Sequence, residues 1–120
     1  MNYQLDRSDN LVIFHINDKK IEGDVSAKYK AQFLIFSQQP DLEAFVINIK
    51  DVESIDSAGF GAFLLAYRQL KENLIPVVIT GANEYIKSLM SITQIEDLFE
   101  FYDTVEEALK VYNTPEQKDN

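Results

Sequence analysis

Three short apolar runs, separated by segments with helical periodicity, constrain the fold of this chain most strongly. All three are rich in the β-branched and aromatic residues that are typical of strands. They are Leu11 to Ile16, Ala44 to Ile49 and Val77 to Thr80. Weaker strands are predicted around Tyr3 and from Leu98 to Tyr102. The sequence therefore predicts about five strands.

Four other segments place apolar residues at helical spacing. In the first segment, Phe33 and Phe36 form a stripe that we interpret as core. The second segment is predicted to end near Asn73. Each segment follows a residue type that commonly caps a helix N-terminus. The predicted N-caps are Asp24, Ser57, Asn83 and Thr104.

Strands that alternate with helices favour parallel pairing with helical crossovers. The predicted order is β-β-α-β-α-β-α-β-α, so we expect an α/β fold with a mixed, mostly parallel sheet and about four α-helices. We assign residues 1–111 to one domain. We expect residues 112–120 to form a flexible, polar C-terminal tail.

Composition and charge narrow the function classes. The chain has 120 residues, is 46% hydrophobic and has a formal net charge of −9, which suits one globular domain and disfavours nucleic acid as a partner. It has no cysteine and no apolar run near the ~20 residues that a membrane span needs. We expect a soluble, cytoplasmic, monomeric protein with protein partners and no membrane association.

The start of the second helix is unusual. Ser57 stands at the predicted cap, and Gly59 and Gly61 lie in the first turns, where each costs roughly 0.5–1 kcal/mol relative to alanine. The missing side chains let a partner approach the serine, and they also allow close packing of the helix on the sheet. The sequence alone leaves both explanations open.

The stretch INIKDVESIDSAGFGAFLLAYRQLK resembles the signature of STAS domains, in particular bacterial anti-sigma factor antagonists. Their pattern is a hydrophobic strand, a short loop and then Asp-Ser-(Ser/Thr)-Gly-(Leu)-Gly at the start of a helix. The matching residues here are Asp56, Ser57, Ala58, Gly59, Phe60 and Gly61. The resemblance continues through IKSLMSITQIEDLFEFYDTVEEAL and covers about residues 3–111.

The resemblance implies a regulatory protein without a cofactor. In this family the serine after the aspartate is phosphorylated by a kinase that is also the anti-sigma factor, and that role carries over to Ser57. The unphosphorylated form binds this partner and releases the sigma factor, and a phosphatase restores it. We expect the segment from Asp56 to Gly61 to bind the partner, with Phe60 as an aromatic anchor.

Three positions depart from the family pattern. Ala58 replaces a second hydroxyl, which leaves Ser57 as the only phosphate acceptor in the motif. Asp18 stands where glycine is usual, in a loop that lies near the phosphorylated serine in the family. Gln94 replaces a glycine that often follows the third helix, which indicates a local change of turn.

Other functions fit the residues less well. A serine hydrolase needs Gly-x-Ser-x-Gly and a base, and His15, which we interpret as a sheet residue, is the only histidine. We expect no catalysis. Asp51, Glu53 and Asp56 are more typical of a solvated acidic loop than of a metal site. A STAS module that senses a nucleotide or small ligand, or a partner switch that controls no sigma factor, is the alternative.

Overall fold

The computed structural model describes residues 1–38 and 41–112 and confirms the α/β fold. The strands are β1 (Tyr3–Ser8), β2 (Leu11–Ile16), β3 (Lys20–Ile21), β4 (Ala44–Asn48), β5 (Ser54–Ile55), β6 (Val77–Thr80) and β7 (Glu100–Tyr102). The helices are α1 (Asp24–Phe36), α2 (Ser57–Lys71), α3 (Glu84–Ile92) and α4 (Val105–Tyr112), with a short 3₁₀ helix at Glu96–Leu98.

The main sheet has five strands in the order β1-β2-β4-β6-β7. β1 pairs antiparallel with β2, and all other neighbours in this sheet are parallel. Parallel neighbours need a crossover connection, and α1, α2 and α3 supply the three crossovers. The loops that follow β2, β4 and β6 therefore meet at one edge of the sheet.

The two faces of the sheet carry two separate hydrophobic clusters. Side chains of a strand alternate between faces, so Phe45 and Ile47 of β4 pack towards α1, α2 and α3, whereas Val46 packs towards α4. All five residues of β4 are buried. Helices cover both faces of the sheet, which explains why the central strands are continuous apolar runs.

The larger cluster has an aromatic centre. Phe33 of α1 is completely buried and lies edge to face with Phe14 and Phe45, at centroid distances of 5.1 and 5.7 Å. Phe36 is half-buried and contacts Phe14 at 6.0 Å. The prediction that this stripe faces the core is confirmed, with Phe36 at its edge.

The sequence reading missed β3 and β5. Each has only two residues, and they pair in parallel to form a second, two-stranded sheet outside the main one. Strands this short have no periodicity to read. Their pairing joins the loop after β2 to the loop after β4.

Several predicted boundaries were wrong. Gly23, with φ of 60°, is the N-cap of α1 instead of Asp24, which is the first helical residue. The predicted strand from Leu98 is shorter, because Leu98 ends the 3₁₀ helix. Asn83 does cap α3, by accepting the Ile86 amide at 2.8 Å, and Thr104 accepts the amide of Glu107 at 3.2 Å.

The C-terminal end extends slightly past the predicted domain boundary. α4 includes Tyr112, and residues 113–120, where the tail was predicted, lie outside the described residues. Within residues 1–38 and 41–112, no helix combines the length and the apolar character needed to cross a membrane.

Candidate functional site at the start of α2

The segment with the family motif lies at the edge where the loops after β2 and β4 meet. The β3–β5 pair fixes its approach, and one further bond continues the pairing, from the Asp56 amide to the Ile21 carbonyl at 2.9 Å. The backbone of Asp56 is therefore still extended, with φ of −82° and ψ of 176°. The helix begins only at Ser57.

Asp56, not Ser57, is the N-cap of α2. Its Oδ1 accepts the Gly59 amide at 2.7 Å, which is the usual contact of a capping carboxylate. The prediction of Ser57 as the cap was wrong by one residue, since the extended backbone required of a cap ends at Asp56. Ser57 is the first residue with helical geometry.

The Asp56 carboxylate also binds the start of α1. Its Oδ1 accepts the Ser26 hydroxyl at 2.6 Å, and its Oδ2 accepts the Gly23 amide at 2.9 Å. The Ser26 bond is the largest effect that lowers the pKa of the Asp56 carboxyl below 3.8; desolvation opposes it, and the amides of Gly23 and Gly59 add to it. Asp56 is thus an anion shared by two helix starts.

Ser57 is exposed, and so is Ala58 beside it. The Ser57 hydroxyl makes no hydrogen bond with any residue in the described part of the chain. Its backbone is nevertheless fixed by the cap that precedes it. The arrangement presents a solvent-accessible hydroxyl at a defined position.

The two glycines of the motif serve different purposes. A Cβ on Gly59 would lie 2.5 Å from Cγ2 of Ile55 and 3.0 Å from Cγ2 of Ile21, so Gly59 lets α2 pack closely on the β3–β5 pair. A Cβ on Gly61 would meet nothing within 4 Å. Gly61 follows Ser57 by one helical turn on the same face, so it leaves open surface beside the serine.

Phe60 is half-buried rather than fully exposed. Its ring lies edge to face with Phe63 at 6.3 Å and packs against the larger core cluster. Part of the ring remains accessible. Its role as an anchor for a partner therefore stays a prediction.

The connection between β2 and α1 contributes to the site, but Asp18, the residue in it that departs from the family pattern, binds elsewhere. Asp18 accepts hydrogen bonds from the Tyr29 hydroxyl and, at 2.9 Å, from the Asn2 amide. The residues that bind the Asp56 carboxylate are Gly23 and Ser26. Sequence reasoning missed both, because they lie about 30 positions from Asp56 and belong to no motif; a serine in the first turn of α1 was the only signal.

The other candidate residues do not join this site. Asp51 and Glu53 are exposed, and the described residues hold no group of three His, Asp or Glu side chains arranged to bind a metal ion. His15 lies on the sheet, with Nε2 2.9 Å from Asp6 Oδ2 and Nδ1 2.9 Å from Asn48 Nδ2. The Asn48 amide nitrogen is a donor, so it pairs with a ring nitrogen that acts as an acceptor.

A comparison with protein families gives a match over almost the whole described chain. The model of the STAS domain matches residues 2–108. This range includes both loops and all six residues of the motif.

Solved structures share the fold. An anti-sigma-factor antagonist (STAS) domain protein from Planctomyces limnophilus is 15% identical, with a TM-score of 0.84 and coverage of 91% of this chain and 95% of that one. An anti-sigma factor antagonist from Mycobacterium paratuberculosis is 19% identical, with a TM-score of 0.76 and 92% coverage of each chain. SpoIIAA from Bacillus in its phosphorylated form is 15% identical, with a TM-score of 0.74 and coverage of 93% and 100%. At identities of 15% to 19%, these similarities show that the fold is shared.

Proposed function

Because the chain belongs to the STAS domain family, we propose that it is an anti-sigma factor antagonist whose partner binding is switched by phosphorylation of Ser57. The unmodified form binds an anti-sigma factor that is also a serine kinase, and the sigma factor is released. Phosphorylation ends binding, and a phosphatase restores it. The protein acts as a cytoplasmic monomer, without a cofactor and without catalysis of its own.

The observation that carries the proposal is the exposed Ser57 hydroxyl on a fixed backbone. A kinase needs an accessible hydroxyl in a defined position, and the Asp56 cap with the open surface at Gly61 provides both. The phosphate would lie at a helix N-terminus, where the helix dipole favours negative charge. SpoIIAA, which shares the fold, exists in an unphosphorylated and a phosphorylated form, and this supports phosphorylation as the switch.

The charge around Ser57 supports a switch in affinity. Phosphorylation adds about −1.5 to −2 charge at pH 7, next to a carboxylate that its three hydrogen bonds keep ionised. A partner surface that accepts a small neutral hydroxyl there must then accept a dianion beside Asp56. We expect a coupling of about 1–3 kcal/mol, or roughly 5- to 150-fold in affinity.

The site lacks the parts of a hydrolase. Both ring nitrogens of His15, the one histidine in the sequence, have partners elsewhere, Asp6 and Asn48. Ser57 therefore has no imidazole base, which is what a serine nucleophile requires. This favours a binding protein over an enzyme.

Affinity capture from the native cell tests the proposal. Wild type, Ser57→Ala and, as a matched control on an exposed serine of α3, Ser88→Ala are immobilised and incubated with lysate, with and without ATP. All three should retain the same kinase-fold protein without ATP. With ATP, wild type and Ser88→Ala should release it and carry phosphate at Ser57 by mass spectrometry, whereas Ser57→Ala should keep it. Phosphate at another residue, or equal retention by all three with ATP, would contradict the proposal.

A further inference from the structure

The start of α1 has no cap of its own. Its N-cap is Gly23, which has no side chain to offer, and no side chain of α1 fills that place. The Asp56 carboxylate, which belongs to another element, ties down this helix start by accepting the Gly23 amide at 2.9 Å and the Ser26 hydroxyl at 2.6 Å. One carboxylate therefore holds both helix starts, and α1 depends on a residue adjacent to Ser57.

We infer that Asp56 transmits the modification state of Ser57 to the start of α1, so that residues 22–24 form a second, phosphorylation-sensitive part of the partner surface. This inference rests on the proposed function, because it takes Ser57 as the modified residue. Asp56 acts here as a positioning residue.

The first step of the transmission is electrostatic. A phosphate on Ser57 repels the neighbouring carboxylate and competes with it for the amide donors at the start of α2. Asp56 has little freedom to respond, since its two oxygens already accept three hydrogen bonds. Any displacement of the carboxylate lengthens the bonds to Gly23 and Ser26.

The second step follows from the burial of Ser26. Its side chain is completely buried, so a hydroxyl that loses Asp56 finds no water to replace it, and an unpaired buried group is costly. The α1 backbone must move with the carboxylate or lose the bond. Gly23 is exposed, and outside its chain neighbours no heavy atom lies within 4 Å of where its Cβ would be, so there is open space beside it.

The responding segment is in a position to be read by a partner. Glu22, Gly23 and Asp24 are all exposed. They follow β3, whose pairing with β5 places them beside Asp56. A partner that covers Ser57 can therefore contact this segment, and its acidic side chains favour a basic surface in that partner.

Backbone amide NMR on the full chain tests the coupling without any partner. Phosphoserine is incorporated during synthesis at position 57, or at position 88 as the matched control. The sequence has only four glycines; Gly23 and Gly59 report on the carboxylate, and Gly81 is the internal reference. With phosphoserine at position 57, the Gly23 and Gly59 resonances should shift and Gly23 exchange should accelerate about tenfold. Gly81 should not change, and the modification at position 88 should affect none of these.

A second variant isolates the role of the carboxylate. Asp56→Asn keeps an acceptor for Gly59 but removes the charge, so phosphoserine at position 57 should no longer move Gly23. If that variant fails to fold, Ser26→Ala should instead reduce the Gly23 response by about half or more. A shift at Gly59 with no response at Gly23 in the otherwise native chain would overturn the inference. Since no partner is present, this outcome is separate from failure of the capture experiment.

Discussion

The two ends of α2 are closed in opposite ways. At the N-terminal end, Asp56 accepts hydrogen bonds from two elements, at 2.6 to 2.9 Å. At the C-terminal end, the chain turns through Leu74, which has φ of 59° and is 90% exposed. The amides of Leu74 and Ile75 bind the carbonyls of Lys71 and Leu70 in the pattern of a Schellman motif.

The comparison of the two ends shows that an exposed residue can still have a fixed backbone. Ser57 and Leu74 are both exposed, but the backbone of Ser57 is held by the β3–β5 pair, the start of α1 and the Asp56 cap. The Leu74 amide binds a carbonyl of its own helix, that of Lys71, and Leu74 takes a conformation that costs a non-glycine residue about 1–2 kcal/mol. The candidate modification site lies at the end of α2 whose cap also accepts hydrogen bonds from another helix.

The largest expected effect comes from removing the shared cap. Asp56→Ala should destabilise the fold by about 3 kcal/mol, because it removes a helix cap worth ~1 kcal/mol and leaves the buried Ser26 hydroxyl unpaired, at about 1–3 kcal/mol. Urea unfolding measures this. The control is Thr104→Ala, which removes a cap that accepts one hydrogen bond from a backbone amide. It should cost only ~1 kcal/mol. Equal losses would mean that the bonds to α1 add nothing.

The next largest effect is expected at Gly59, and Gly61 in the same helix should respond in the opposite direction. Gly59→Ala should cost about 1–3 kcal/mol, because its Cβ would overlap Ile55. Gly61→Ala, in open space, should instead stabilise the helix by roughly 0.5–1 kcal/mol. Thermal unfolding of the two variants distinguishes them. A loss of stability in both would contradict the open surface at Gly61.

The pH dependence of stability should reflect the same cap. The folded pKa of Asp56 is lowered from 3.8, first of all by its bond from Ser26, so its ionised form favours folding. This contribution is complete above the unfolded pKa and is lost as the pH falls through the lower folded value. Stability should therefore decline more steeply below pH 3.8 in wild type than in Asp56→Asn, as urea titrations at several pH values would show. Parallel profiles would argue against this linkage.

The sequence predicted the five strands of the main sheet and the accessible serine for physical reasons that the structure makes plain. β4 and β6 are buried on both faces, so their composition reveals them without any partner. Ser57 was identified because its motif is local.

What the sequence missed depends on contacts between distant segments. Asp and Ser are both good N-caps, and the choice of Asp56 was made by its backbone bond to Ile21, 35 positions away in the chain. The same holds for Ser26 and Gly23, whose spacing from Asp56 carries no pattern. At Gln94, where the sequence indicated a change of turn, the backbone has φ of 63°, a conformation in which a glycine would be unstrained.

The protein should become more stable when the residue at position 74, which has a positive φ, is one that adopts this conformation without strain. Leu74→Gly should raise stability by about 1 kcal/mol, because glycine has no penalty at positive φ and little packing is lost at a side chain that is 90% exposed. The control Asn73→Gly, at a residue whose φ is not positive, should lower stability. A loss with Leu74→Gly would show that the leucine contributes contacts in solution.

The smallest expected effect on stability is at Ser57. If its hydroxyl capped α2, Ser57→Ala would cost ~1 kcal/mol; because Asp56 makes the capping bond and the Ser57 hydroxyl is exposed, the change should stay within about 0.5 kcal/mol. Urea unfolding of wild type and Ser57→Ala measures the difference, with Thr104→Ala as the variant that does lose a cap. A loss of 1 kcal/mol or more would mean that the hydroxyl supports the helix start. A neutral result, together with loss of phosphorylation in the capture experiment, would show that this hydroxyl serves the partner and not the fold.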